Sequence, residues 1–285
     1  MNIDPYVKEI NRQGLGVEGI IVMQHGEKCA EYRWVPERPK NIHSVSKSFV
    51  SIAIGMAVGE GKLRLKDRVL DFFPRQDASP RLQSLSLEHL LTMTRGHREF
   101  TRPRTVDEAL SHELFRDPGG AFLYDNACTF LASAMLTKAA GQSLRDYLAP
   151  RLFCPLGIAA PLWAESDDGF TMGATGLELD TSSLAKFGQF LLQRGVWQGQ
   201  ELVSPLWIDA ATRAQVATRN SKPDYNLGYG WQFWICRHGA YRCDGIYGQF
   251  VIVIPYKEAV IAINSAEENM AQVLYAVWDH VLPLL

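Results

Sequence analysis

Ser44-Val45-Ser46-Lys47 puts a hydroxyl and an amine three residues apart at the head of SVSKSFVSIAIGMAVG, a run that is apolar nearly all round and stops at Gly59-Glu60-Gly61. Such a run predicts a buried helix over 44–59, closed by glycine. Residues three apart on a helix share a face with Cβ atoms about 5 to 6 Å apart, so the Lys47 amine can reach the Ser44 hydroxyl. A serine hydroxyl is a weak nucleophile until a base takes its proton. The unpaired N–H groups and positive dipole end of a helix start favour an alkoxide at Ser44 and a neutral amine at Lys47. The bland alternative is a capping serine beside a snorkelling lysine. Burying a lysine in so apolar a run is costly, which tilts the balance toward chemistry.

Ser-x-x-Lys is a short pattern, and about one chance match is expected in a chain of this length given average Ser and Lys usage. A second match, Ser183 to Lys186, follows Asp180-Thr181 at the start of an amphipathic stripe. That context predicts an ordinary capped surface helix with Lys186 toward water. Tyr124-Asp125-Asn126 ends a Gly-containing loop just before a helical pattern from Ala127. Held near Lys47, the Tyr124 phenol can accept a proton as phenolate and return it, and the Asn126 amide can hold Lys47 and a substrate carbonyl. By itself the tripeptide reads equally as packing with Asn126 as a helix cap.

The elements that must position these groups fall into three stretches. Gly19–Gln24 and Cys29–Val35 read as a hairpin turning at His25-Gly26-Glu27. From 61 to about 195 the pattern is mostly helical, with segments at Leu87, Ala127, Ser143 and Thr181. Runs at 230–236, 240–243, 249–254 and 259–263 then read as strands, followed by an amphipathic helix over about 267–280. Strands at both ends around a helical middle predict an α/β (α+β) fold: a mostly antiparallel sheet flanked by helices, its first and last strands paired. The expected parts are a sheet domain from 1–60 and 196–285 and a helical insert over 61–195, with a cleft between them. Trp231, Phe233, Trp234 and Tyr247 are candidates for lining it, or for sheet core.

Composition narrows the classes. The chain has 285 residues, 47% of them hydrophobic and 21% charged, with net charge −2, ample for a large core. Lys and Arg are scattered, which argues against a nucleic-acid or anionic-membrane partner. There is no cationic-apolar leader pattern and no apolar run long enough for a membrane span, so a cytoplasmic protein is expected. The five cysteines lack a C-x-x-C pair and read as free thiols. The seven histidines lack metal-ligand spacing, so neither a metal nor another cofactor is expected.

The chain resembles the class C β-lactamase-like family, which includes penicillin-binding DD-peptidases and related esterases and amidases. SVSK at Ser44 is similar to its Ser-x-x-Lys and YDN at Tyr124 to its Tyr-x-Asn, and GEGKLRLKDRVLDFFP, LSLEHLLTMTRG, PGGAFLYDNA and DYLAPRLFCPLGI follow in the expected order. The resemblance covers about Val17 to Ala276. It implies two-step acyl transfer through Ser44, proton traffic through Lys47 and Tyr124, and an oxyanion hole from the N–H groups of Ser44 and Ile246. The third motif departs: where the family has Lys-Thr-Gly or His-x-Gly, this chain has Cys243-Asp244-Gly245. Gly245 keeps close backbone approach possible, whereas Cys243 replaces the cation and Asp244 adds an acid. Strand alternation turns Arg242 to the face opposite Cys243. The expectation is therefore a serine hydrolase of a small ester or amide, esterase-like rather than carboxylate-dependent. A β-lactamase or DD-peptidase is the enzymatic alternative, and a catalytically silent binding protein on the same fold is the other.

Overall fold

The computed structural model describes all 285 residues. Its centre is a six-stranded, wholly antiparallel sheet. The strands are β1 (Val17–Gln24), β2 (Glu27–Arg33), β3 (Trp234–Ile235), β4 (Tyr241–Gly245), β5 (Gln249–Ile254) and β6 (Ala259–Ser265). Their order is β2-β1-β6-β5-β4-β3, so the first strand pairs with the last, Val22 opposite Ile261. The β1–β2 hairpin turns at His25 and Gly26, both at positive φ, the backbone that a two-residue hairpin requires. Of the expected strand over 230–236 only Trp234 and Ile235 are in the ladder.

Alternation sends the two faces of the sheet into separate cores. Ile20, Val22, Phe250, Ile252, Ile261 and Ile263 pack against an N-terminal helix, α1 (Asp4–Gln13), and the C-terminal helix α5 (Met270–His280). Helix α1 is not among the elements expected from the sequence. Ile21, Val251, Val253, Val260 and Ala262 face the larger core, which contains α2 (Ser46–Gly59), α3 (Asn126–Ala140) and α4 (Thr181–Leu192). The result is a sheet sandwiched between helical layers, as the strand–helix–strand pattern predicts.

Helix α4 corrects one expectation. Rather than lying on the surface of the helical part, it packs on the sheet: a Cβ at Gly188 would come within 2.3 Å of Val260 and 2.8 Å of Val251. Ser183 is buried there and its N–H is capped by Asp180 at 2.7 Å, while Lys186 donates to the Gly157 carbonyl at 2.8 Å. This second Ser-x-x-Lys is helix capping and packing. No helix is long and apolar enough to cross a membrane.

Candidate active site

Ser44 lies in a single 3-10 turn, His43–Val45, that runs directly into α2. The turn is aimed by its neighbour: His43 takes φ 50°, and the Asn41 side chain accepts its N–H at 2.8 Å. A non-glycine residue held at positive φ is a local cost met by surrounding contacts. One turn on, Lys47 is buried at 1% exposure. Its Nζ is 3.0 Å from Ser44 Oγ, 2.7 Å from Asn126 Oδ1 and 2.8 Å from the Ala174 carbonyl oxygen. The last two partners can only accept, so they fix two N–H bonds of the amine. The third tetrahedral position points at Ser44, carrying a proton when Lys47 is charged and a lone pair when it is neutral.

Burial lowers the Lys47 pKa from its usual value to about 7, with the Arg102 charge acting the same way and Asp125, Cys128 and Asp244 opposing. Desolvation disfavours an ammonium ion more than an amine, so near neutral pH both forms are populated. Tyr124 is stacked on Trp234 at 5.6 Å and its ring lies 5.0 Å from Lys47 Nζ. Burial pushes its phenol well above the usual tyrosine range, an effect that the Ser44 hydroxyl beside it only partly offsets. The raised pKa favours the protonated phenol over the expected phenolate.

Asp125 holds the two walls of the site together. It caps α3 by accepting the Ala127 N–H at 3.3 Å, pairs with Arg95 at 2.8 Å in full burial, and accepts both the Thr101 N–H at 2.8 Å and the Thr101 hydroxyl at 2.6 Å. Asp125 rather than Asn126 is the cap, which leaves the Asn126 amide free for Lys47. The N–H groups of Ser44 and Ile246 donate to no other group of the chain, and Ser44 and Ile246 line one cleft of about 760 Å³. Gly245 lets the β4 strand come that close: a Cβ there would sit 2.5 Å from the Ile42 carbonyl oxygen.

The third motif needs two corrections. Cys243 does not take the place of a cation in the cleft, because it is 1% exposed in the large core, and burial pushes its thiol up to about 12. Asp244 does line the cleft, yet its charge is not left free. Arg242 points away from Cys243, as alternation requires, and so shares the face of Asp244. Wholly buried, it donates to Asp244 Oδ2 at 2.8 Å, and the Tyr225 hydroxyl donates to the same oxygen at 2.9 Å. Of the four candidate aromatics, Trp234 and Tyr247 line the cleft, while Trp231 and Phe233 are core. Sequence reasoning missed the Ala174 carbonyl, Tyr225 and Lys222. No motif marks them, since each is brought in by a loop distant in sequence; for a replacement cation the sequence points no more closely than to the arginines from Arg95 to Arg104, of which Arg102 lines the cleft.

Residues 2–281 match the family described as Beta-lactamase. A "Beta-lactamase" of Escherichia coli (strain K12) is 30% identical over 124 residues, 40% of this chain, and the match spans about a third (32%) of that enzyme's length. The "6-aminohexanoate-dimer hydrolase" of Paenarthrobacter ureafaciens is 24% identical over 284 residues, covering 87% of this chain and 72% of the relative. Among solved structures, "EstCE1, a hydrolase with promiscuous acyltransferase activity" superposes with a TM-score of 0.77 at 16% identity, over 98% of this chain and 99% of that one.

Proposed function

The chain belongs to the beta-lactamase family of serine hydrolases, and on that premise we propose that it cleaves a small ester or amide through a covalent acyl-enzyme on Ser44, with an esterase-like substrate favoured. The observation that carries this is the Lys47 amine, 3.0 Å from Ser44 Oγ with its other two N–H bonds held by acceptors. In its neutral form the lone pair faces the serine hydroxyl, the arrangement that general-base activation needs.

In the acylation step Ser44 Oγ bonds to the substrate carbonyl carbon as its proton passes to Lys47. The carbonyl electron pair moves onto oxygen, opposite the undonated N–H groups of Ser44 and Ile246. Collapse of this adduct breaks the bond to the leaving group, which takes a proton from the Lys47–Tyr124 pair; a protonated phenol suits that donor role. Water then attacks the ester on Ser44, returns the hydroxyl and releases the acid. The buried Cys243 argues against a β-lactam held by a cation at that position, and names such as EstCE1 and 6-aminohexanoate-dimer hydrolase among the relatives keep non-β-lactam substrates in view.

The test is chemical labelling. A serine-directed fluorophosphonate, followed by intact-mass and peptide analysis, is expected to modify Ser44 once and leave Ser183 untouched. Modification at Ser183, or full hydrolysis by Ser44→Ala, sinks the assignment. Inertness toward the probe and toward a panel of esters, amides and β-lactams marks the fold as a silent binding protein.

A further inference from the structure

The charge of the cleft is not what the third motif implies. Asp244 is neutralised by Arg242 from below, and burial lowers the His43 pKa so that its ring is neutral near pH 7. The charged side chains left facing the cavity are then Arg102 and Lys222, both cations. Arg102 forms no ion pair and rests over the Phe100 ring at 5.2 Å. The other arginines of its loop are engaged elsewhere. Arg95 pairs with Asp125, Arg98 stacks on Phe115 at 3.7 Å, and Arg104 binds Asp167 through two bonds of 2.9 Å.

Nor is Arg102 a side chain on a loose surface loop. The residue before it, Thr101, is tied twice to Asp125, the carboxylate between Tyr124 and Asn126, and the residue after it, Pro103, is buried. On this anchored backbone the Arg102 side chain is exposed at the cleft, and its guanidinium offers a planar fork that matches a carboxylate. Phe100, Met172, Trp234, Ile246 and Met270 give the cavity an apolar wall, interleaved with polar groups such as Thr175 and Asn220. One forked cation beside that apolar wall fits a singly charged anion on a largely hydrocarbon body.

We propose that the cleft selects an ester or amide bearing a carboxylate, that Arg102 receives that carboxylate, and that Lys222, from a separate segment, adds to the attracting field. The proposal rests on the Ser44 acyl-transfer reading and names its substrate class. Arg102 here sets specificity; its charge also acts on Lys47, an effect that both esters feel alike and that their ratio cancels.

The experiment compares a matched pair, p-nitrophenyl butyrate and the mono-p-nitrophenyl ester of glutaric acid, by the ratio of their kcat/KM values at low salt. A charge-assisted hydrogen bond predicts a ratio of roughly ten to a hundred in favour of the anionic ester, shrinking in about 0.5 M salt as the field is screened. Arg102→Ala is expected to cut the ratio at least about fivefold and Arg102→Glu to cut it further, while Arg102→Lys retains part of it, since a lysine keeps the charge without the fork. Lys222→Ala should lower it by less. A wild-type ratio at or below one, or a smaller fall in Arg102→Ala, overturns the proposal even if both esters turn over and Ser44 labels. Failure of both esters together with failure of Ser44 to label removes the acyl-transfer reading, and this proposal with it.

Discussion

The Lys47 cradle can be tested by changing one atom of it. Asn126→Asp replaces the amide whose Oδ1 lies 2.7 Å from Nζ with a carboxylate of nearly the same shape. Asn126 is the first residue of α3, where a negative charge suits the helix dipole, so folding should survive. A unit charge about 4 Å from another is worth ~4 kcal/mol at an effective dielectric near 20, or about 3 pKa units at 1.36 kcal/mol each. Allowing for partial hydration of the cleft, a rise of at least ~2 units is expected in the Lys47 pKa, from about 7 to about 9 or above. In the proposed mechanism the neutral amine is the active form, so activity is expected to grow as pH rises through this pKa, and raising the pKa moves the acid limb of the profile to higher pH. At pH 7 the neutral fraction should fall from roughly one half to about one in a hundred, so that kcat/KM drops about fiftyfold and recovers toward pH 10. The assay is kcat/KM for an aryl ester between pH 5.5 and 10, with Lys47→Ala as the variant that lacks the limb. An Asn126→Asp midpoint within ~0.3 unit of wild type would mean that Lys47 is not the titrating base. Thermal melts give an independent reading. Because the folded-state pKa of Lys47 lies below its unfolded value, the wild type should gain stability with rising pH between about 7 and the usual lysine value. This gain should shrink in the Asn126→Asp variant, whose new carboxylate favours the charged amine.

Two further outcomes follow from the same geometry. Tyr124→Phe should lower kcat by about a hundredfold or more, the scale of a lost general acid, with little change in melting temperature; a loss under about threefold would make the phenol mere packing beside Trp234. Gly245→Ala forces a Cβ to within 2.5 Å of the Ile42 carbonyl oxygen, a backbone atom that cannot swing aside, so a stability loss of about 1 to 3 kcal/mol in urea titration and slower labelling of Ser44 are expected. An unchanged variant would show that β4 does not press on the Ser44 turn.

Much of this arrangement is legible in the sequence, and the readings that fail share a physical cause. The run after Ser44 is so uniformly apolar that a buried helix is the consistent reading, and with it a buried Lys47. The β1–β2 hairpin and the strands expected over 249–254 and 259–263 follow from short β-prone runs bounded by turn residues, the last of them running on to Ser265. Helix α1 is legible but not among the expected elements: Ile3, Tyr6, Val7 and Ile10 fall at i, i+3, i+4 and i+7, with Pro5 at its start and Gly14 at its end. The surface reading of Ser183 fails because Gly188 looks like a weakness in a helix until the sheet behind it is known. The charge of the cleft is hidden because pairing along β4 between Arg242 and Asp244, and the approach of Arg102 and Lys222 from loops far away in sequence, are tertiary facts. Alternation assigns the correct face to Arg242, but does not tell that Cys243 faces the core.

The Asp125 carboxylate has a consequence for how such a cleft can diversify. It is joined to Arg95 on one side and to Thr101 on the other, within the segment that carries Tyr124 and Asn126. Positions 98, 99, 100, 102 and 104 lie between or beside these anchors with outward-facing side chains. Substitutions there can exchange the groups that meet a substrate while the anchors keep the loop's path and the spacing around Lys47 intact. Selection can then retune what the cavity admits by replacing side chains on a fixed strap, without renegotiating the proton circuit each time, whereas a change at Asp125 would disturb both at once.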